Sequence, residues 1–353
     1  METPLIQLHK KLNAKIVDFH NWKMPLYYDS IINEHLWTKE NASIFDVSHM
    51  GRILINGKGS IDFLNYITTI DILNLQIGSA KYGLILNENA GIVDDLVVYR
   101  IDELGFLLVV NAGTRNKDLE HIRRHSEEFD IKIEDITFNI SQIAIQGPKS
   151  KSVLEEVLGI SIDIPYYCFV KHDDMIISRT GYTTEDGFEV YINSDRALEF
   201  TENLLKNPNI KMAGLGARNT LRLEAGYCLY GNDIDENINP ISARLRWTIY
   251  LDKNFLGKER LLKIIENGVN YVRVGFIAID RGIPREKDDI YINEKKVGYV
   301  TSGAFSPTLK KGIGMGYMLK EYSKLDTEIL INGNKFKVVR LPFVEGSLKN
   351  IKK

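Results

Sequence analysis

Cysteine is scarce: Cys168 and Cys228 are the two in 353 residues. They lie far apart and neither belongs to a C-x-x-C pair, which argues against a disulfide framework or a cysteine-based zinc site and suits a reducing compartment. Both read as small core residues. No apolar run approaches the roughly 18 residues of a transmembrane helix. Met1-Glu-Thr-Pro-Leu5 lacks the basic and apolar regions of a signal peptide, so a cytoplasmic location away from membranes is expected. Charge of one sign is not in excess either. Lys plus Arg number 45 against 47 Asp plus Glu, a net of −2, which gives no electrostatic drive toward nucleic acid. Internal repeats and low-complexity linkers are also missing, so close-packed domains are expected, two or three at this length.

What the chain does contain is an acidic pair at the entrance of an apolar strand, Gly91-Ile-Val-Asp94-Asp95-Leu-Val-Val-Tyr99. Side chains alternate along a strand, so Asp95, Val97 and Tyr99 share one face, and Asp94, Leu96 and Val98 share the other. A carboxylate on an apolar face is costly without a compensating donor. The plain alternative is a pair of turn residues closing the hairpin after Asn87-Glu-Asn-Ala-Gly91.

Several tempting motifs fail on spacing or context. Asp46, Ser48 and His49 lack the strand-turn-helix setting of a nucleophile elbow and read as a structural hydrogen-bonded cluster. Gly57-Lys58 misses a phosphate loop by spacing, and Gly214-Leu-Gly216 has no third glycine or downstream acid. His121 and His125 stand at i, i+4 in a helix expected from Thr114 to Phe129. With Arg123 and Arg124 between them and no H-E-x-x-H glutamate, they read as a solvated basic face, and no metal site is expected.

Strands are expected at Lys81–Leu86, Ile92–Ile101 and Gly105–Asn111, the last placing Val109 and Asn111 on one face. Further strands fall at Ile140–Gln146, Met175–Arg179 and Phe188–Ile192; in the last, Glu189 and Tyr191 oppose Phe188, Val190 and Ile192. Ser194 reads as a helix cap. Arg218 and Arg222 stand at i, i+4 on a short helix, where like charges repel unless an acid or anionic ligand separates them. From about Tyr271 short strands and hairpins take over, which suggests a separate all-β domain. Within it, Gly312-Ile-Gly314-Met-Gly316 reads as a strand with close backbone packing.

Eight colinear segments carry a resemblance covering nearly the whole chain. Trp22-Lys-Met-Pro-Leu-Tyr27, Phe45-Asp-Val-Ser-His-Met-Gly51, Gly91 to Tyr99, Arg179-Thr-Gly-Tyr182, Glu185-Asp-Gly-Phe-Glu189, Gly214-Leu-Gly-Ala-Arg218, Leu221-Arg-Leu-Glu-Ala-Gly226 and Thr301-Ser-Gly-Ala-Phe-Ser-Pro-Thr308 resemble the glycine cleavage system T-protein (aminomethyltransferase) family. The resemblance implies an α+β cloverleaf of three domains around a central funnel. These are a Greek-key-containing folate-binding domain (residues 1–50 plus 138–240), a ferredoxin-like domain (51–137 plus 241–270) and a C-terminal jelly-roll-like β-barrel (271–353). It implies transfer of the methylene of an aminomethyl-dihydrolipoyl group, borne by the H-protein, to tetrahydrofolate with release of ammonia. Carried over residue by residue, Asp95 resembles the acid facing folate N10. Tyr82, Tyr99, Val109, Asn111 and Tyr182 resemble the folate-pocket wall, Glu189 the pterin-binding acid, and Arg218 a basic partner close to it. Asp94 is expected to be a structural acid, costing stability more than turnover when changed to Asn. Monomer is the default expectation.

Some positions depart from the family pattern. The family usually has glycine where this chain has Thr184, aspartate at Asn219, and small or acidic residues at Arg244 and Arg246. Gly346-Ser-Leu-Lys349-Asn350 lacks an arginine pair that some members place there. Two other readings stay open. One is another folate-dependent demethylase or methyltransferase of the same superfamily. The other is a non-catalytic folate-binding protein, against which the absence of a Lys-Gly-Cys-Tyr-type motif counts.

Overall fold

The computed structural model describes residues 1–351. Its architecture is mixed α+β, with a six-stranded sheet, a five-stranded sheet and a closed six-stranded barrel. The six-stranded sheet runs Phe169–His172, Met175–Ser178, Gly187–Asn193, Ile140–Gln146, Ala42–Asp46 and Ile210–Met212. Its neighbours are antiparallel except the last pair. One face buries Ile44, Ile143, Ile145, Phe188, Val190 and Ile192 in a common core. Alternation therefore turns Glu189 and Tyr191 the other way.

The five-stranded sheet is an antiparallel array of Ala80–Leu86, Ile92–Arg100, Gly105–Val110, Gly51–Asn56 and Lys132–Asp135. The chain passes from the first sheet to the second through Val47–Met50, a four-residue link that carries His49. The hairpin before the acidic strand is fixed locally: Asn87 Oδ1 accepts from the backbone of Asn89 (3.0 Å) and Gly91 (2.8 Å). Gly91 admits no side chain, because a Cβ there would stand 1.8 Å from the Glu236 carbonyl oxygen.

The barrel comprises Tyr271–Ala278, Asp289–Ile292, Lys295–Ser306, Lys311–Leu319, Glu328–Ile331 and Asn334–Val339. It closes because Tyr271–Ala278 pairs with both Lys311–Leu319 and Asn334–Val339. The glycines of Lys311–Leu319 allow close packing as expected: a Cβ on Gly316 would meet the Tyr299 carbonyl oxygen at 2.3 Å.

The helix Leu215–Glu224 clasps the barrel to the rest. Glu224 accepts from Ser306 Oγ (2.5 Å), Thr308 N (3.1 Å) and Thr308 Oγ1 (2.7 Å), and faces His35 at 3.2 Å. Arg222 donates to Asp233 (2.8 Å) and Ser302 (2.9 Å). Removing one partner of such a buried pair costs about 3–5 kcal/mol, because the other charge is left bare.

Four expectations are corrected. Arg218 and Arg222 do not share an acid: Arg222 turns to Asp233, while Arg218 lies with its guanidinium 4.8 Å over the Tyr182 ring. The helix after Thr114 spans Arg115–Arg124 and stops before Phe129. Its histidines are not a solvated face, since His121 is 9% exposed and its ring lies 4.5 Å from that of His125, tilted by 45°. Docking of Leu119 and Ile122 on the sheet carries His121 inward with them. Ser194 caps no helix; it accepts from Ser141 (3.1 Å), and the helix begins at Ala197.

Candidate active site

A cavity of ≈ 1150 Å³ opens where the two sheets, the Leu215–Glu224 helix and the barrel meet. All eight residues singled out from the sequence line it: Tyr82, Asp95, Tyr99, Val109, Asn111, Tyr182, Glu189 and Arg218. They come from four strands, one helix and two loops, so only the tertiary fold brings them together.

At one end stands Glu189, on the face of its strand opposite the core. Its Oε1 accepts from Gln142 Nε2 at 2.9 Å and its Oε2 from Thr180 Oγ1 at 2.6 Å. Each oxygen keeps a lone pair for a ligand. Gln142 Oε1 has no donor, though it is buried on the cavity wall. The Arg218 guanidinium makes no hydrogen bond or ion pair among the described residues; burial lowers its pKa, and the charge on Glu189 opposes that. His49 completes this end. Burial pushes its imidazole down to about 3, so it is neutral, and its Nδ1 has no partner. A carboxylate, an amide oxygen and a guanidinium with unspent capacity suit a flat heterocycle presenting adjacent N–H donors beside an acceptor.

Aromatic residues form the walls between. Tyr182 spends its hydroxyl on the Cys228 carbonyl and presents its ring. Tyr99 is wholly buried, with its hydroxyl 3.2 Å from Thr180 Oγ1 and accepting from Tyr191 at 2.9 Å. It thus packs the wall from behind and ties it to the Glu189 end.

The other end holds Asp95, partly exposed to the cavity. Tyr82 donates to its Oδ2 at 3.0 Å, and Asn111 Nδ2 to its Oδ1 at 2.8 Å. Burial, and then the charge on Asp94, push its carboxyl up to about 7; the two donors pull the other way. The Tyr82 ring stacks at 5.8 Å on Trp247, which is 71% exposed. Asp94 faces away and is wholly buried. It accepts from Asn111 N (3.0 Å), Asn111 Nδ2 (2.8 Å) and Thr114 Oγ1 (2.9 Å).

The Asp46, Ser48 and His49 run forms no triad. Asp46 accepts from His9 (2.9 Å), Thr3 (2.5 Å) and the Ser48 backbone (3.0 Å). Burial raises the Asp46 carboxyl, His9 and Thr3 lower it further, and it ends near 2. No cluster of three or more potential metal ligands occurs among the described residues. Gln142, Thr180, Trp247 and His49 were not anticipated as site residues. His49 and Thr180 lie in the quoted segments Phe45–Gly51 and Arg179–Tyr182, and Gln142 lies in an expected strand at a spacing that puts it on one face with Ala144 and Gln146, but none of these signals gave a role.

The departures from the family pattern have local costs. Thr184 and Arg244 sit at φ +61° and +57°, left-handed backbone that side chains with a Cβ adopt reluctantly. Asn219 accepts from Arg222 Nε at 2.9 Å.

A cavity with a carboxylate, an amide oxygen and a guanidinium at one end, aromatic walls and a carboxyl of raised pKa at the other is built to bind and act on a small molecule. Residues 5–253 match the model of the GCVT N-terminal domain, and residues 272–345 that of the glycine cleavage T-protein C-terminal barrel domain. The chain belongs to the glycine cleavage T-protein family. It is 42% identical over 360 residues to the aminomethyltransferase of Thermosipho melanesiensis, covering 99% of each chain. It is 42% identical over 356 residues to that of Halothermothrix orenii, covering 97% of this chain and 99% of the relative. The crystal structure of glycine cleavage system aminomethyltransferase T from Bartonella henselae superposes with a TM-score of 0.95 at 35% identity, covering 98% of each.

Proposed function

We infer that the chain is an aminomethyltransferase of the glycine cleavage system. It takes the methylene of an aminomethyl group held on the dihydrolipoyl arm of the H-protein, passes it to tetrahydrofolate, and releases ammonia. Family membership over nearly the whole chain supports this reading, and one observation carries the site assignment: Glu189 and Asp95 line the same cavity with aromatic walls between them. The three sheet systems are read as a cloverleaf of Greek-key-containing, ferredoxin-like and jelly-roll-like domains, and the chain as a monomer.

In this reading Glu189 accepts from adjacent N–H groups of the pterin, held rigid by Gln142 and Thr180, and Arg218 faces the ring beside it. Tyr182 supplies flat apolar surface, and Val109 an aliphatic contact. Overall, R–S–CH2–NH3+ and tetrahydrofolate give methylenetetrahydrofolate, R–SH and NH4+, which balances in atoms and charge. Leaving of ammonia develops positive charge at a carbon bonded to sulfur, and attack by folate nitrogen transfers that charge to the nitrogen. Asp95, ionised above about pH 7, stabilises the charge electrostatically and accepts the proton the nitrogen sheds. It acts as base and counter-ion, not as a covalent nucleophile.

The test mixes the protein with tetrahydrofolate and aminomethyl-loaded H-protein and follows ammonia and methylenetetrahydrofolate together. Equimolar formation of both is expected. Folate binding without turnover on a competent carrier would sink the assignment in favour of a binding protein.

A further inference from the structure

Behind Asp95 lies a second acid that no step above uses. Asp118, on the helix Arg115–Arg124, is 0% exposed, and neither of its oxygens has a donor among the described residues. Its carboxyl lies beside that of Asp94, which is also 0% exposed. Two acids side by side and out of water cannot both ionise, so the pair holds a proton between them.

The surrounding donors decide where that proton resides. Asp94 receives three hydrogen bonds, two from Asn111 and one from Thr114, the acceptor set of an ionised carboxylate. Asp118 has no donor of its own: the one hydroxyl close to it, Thr114, is given to Asp94 at 2.9 Å. The charged and titratable neighbours leave this arrangement standing. Lys117 turns its ammonium to the Val93 carbonyl (2.8 Å), Tyr230 (2.7 Å) and Glu236 (2.6 Å). Tyr230 donates to the Ile92 carbonyl. His121, next on the same helix face, is held neutral by burial, which takes it to about 4. Asp235 and Glu236, on the loop that packs against the strand, add negative charge near Tyr230. Asp95 stands beyond Asn111.

We propose that Asp118 is a positioning residue that keeps its own proton and points it at Asp94 in a hydrogen bond, leaving Asp94 ionised as the acceptor that pins Asn111, whose amide in turn fixes Asp95 in the cavity. The relay is static: no proton leaves Asp118 during turnover. Its consequence is electrostatic as well as geometric, because the single charge kept on Asp94 is one of the two causes holding Asp95 near neutrality.

The experiment compares Asp118→Asn and Asp118→Val with the wild-type protein, reading kcat/KM against pH. An asparagine amide donates to Asp94 without a titrating proton, so the acid limb of Asp118→Asn is expected to overlay the wild type. Valine removes the donor. Asp94 then takes the proton itself, its charge is lost, and Asp95 ionises more readily. The acid limb of Asp118→Val is expected to move to lower pH by about one unit, with a reduced plateau. A purely structural Asp118 would lower stability in both variants without moving the limb. Difference infrared spectra on the folded protein give a second reading. At about pH 9, where Asp95 is ionised, a protonated-carboxyl band is expected in the wild type and lost in Asp118→Asn. The proposal is overturned if Asp118→Val keeps the wild-type limb, if Asp118→Asn shifts as Asp118→Val does, or if no such band is lost. Wild-type turnover under the same assay is the control that separates these outcomes from failure of the functional assignment.

Discussion

Asn111 holds Asp95 by a hydrogen bond of 2.8 Å from its side-chain amide, and the same nitrogen reaches Asp94 at 2.8 Å. Strand alternation sends the two adjacent acids to opposite faces, yet a residue just past the end of the neighbouring strand straddles them. The acid behind the sheet and the acid in the cavity are thereby linked, and neither is free to move independently.

Replacing Asn111 with Ala removes the amide from both carboxylates. Asp94 keeps the backbone N–H and Thr114 but loses one donor, which costs about 1–3 kcal/mol for a buried charged acceptor. Asp95 gains rotameric freedom, and misplacement of a reacting group by about 1 Å costs on the order of 100-fold in rate. Urea unfolding and kcat/KM in the coupled ammonia assay check the two effects separately. Undiminished turnover would mean that Asn111 does not position Asp95.

Asp95→Asn is expected to abolish turnover while tetrahydrofolate binding, followed by fluorescence quenching or calorimetry, persists. Stability should respond with a definite sign. The folded-state value of about 7 lies above the unfolded value of about 4, so the folded state binds more protons between them. Wild-type stability attributable to this group therefore falls as pH rises through that window. Asparagine carries no such penalty. Relative to wild type, Asp95→Asn should be no less stable at pH 8, and its advantage should fade as pH is lowered toward 4. Thermal melts across that range decide it.

Much of this site was legible in the sequence, and the reasons are local. Alternation along one strand separated Asp94 from Asp95, and along another it opposed Glu189 to the core residues Phe188 and Val190. The change to short strands at Tyr271 marked the start of the barrel. What could not be read depends on docking between elements distant in the chain. Gln142 and Thr180 meet Glu189 through strand pairing and a loop, across 47 and 9 residues. Asp118 pairs with Asp94 only because its helix lies across the sheet. The expected inward positions Leu119 and Ile122 flank the stripe that carries Asp118 and His121, so the face was drawn too narrow. Asp94, expected to be a structural acid that costs stability more than turnover when changed to Asn, also shares Asn111 with Asp95, a link across the sheet that alternation along one strand does not reveal.

Glu189→Gln replaces an acceptor with an amide whose NH2 group faces the donor amide of Gln142 or the hydroxyl of Thr180. Charge-assisted hydrogen bonds are worth about 1.5–3 kcal/mol, so tetrahydrofolate affinity should fall by about 10- to 100-fold. Turnover at saturating folate should fall less if, as proposed, Glu189 binds the pterin and Asp95 serves the reacting atoms. A rise in KM for folate with kcat nearly kept is the expected pattern in steady-state kinetics. The reverse pattern would move Glu189 from binding to chemistry.

Tyr82→Phe tests the opposite side of the same electrostatic balance. The Tyr82 hydroxyl donates to Asp95 Oδ2 at 3.0 Å and favours the ionised carboxyl. Phenylalanine keeps the ring stacked on Trp247, so the wall and the fold should persist. Without that donor the charged form of Asp95 is less stabilised, and its pKa should rise above about 7. The acid limb of kcat/KM should then move to higher pH, opposite in direction to the shift expected for Asp118→Val, while the plateau at alkaline pH approaches that of the wild type. Two substitutions on either side of one carboxyl, moving one limb in opposite directions, identify Asp95 as the group that titrates. If the limb stays fixed in Tyr82→Phe, the ionisation controlling the rate belongs to another group.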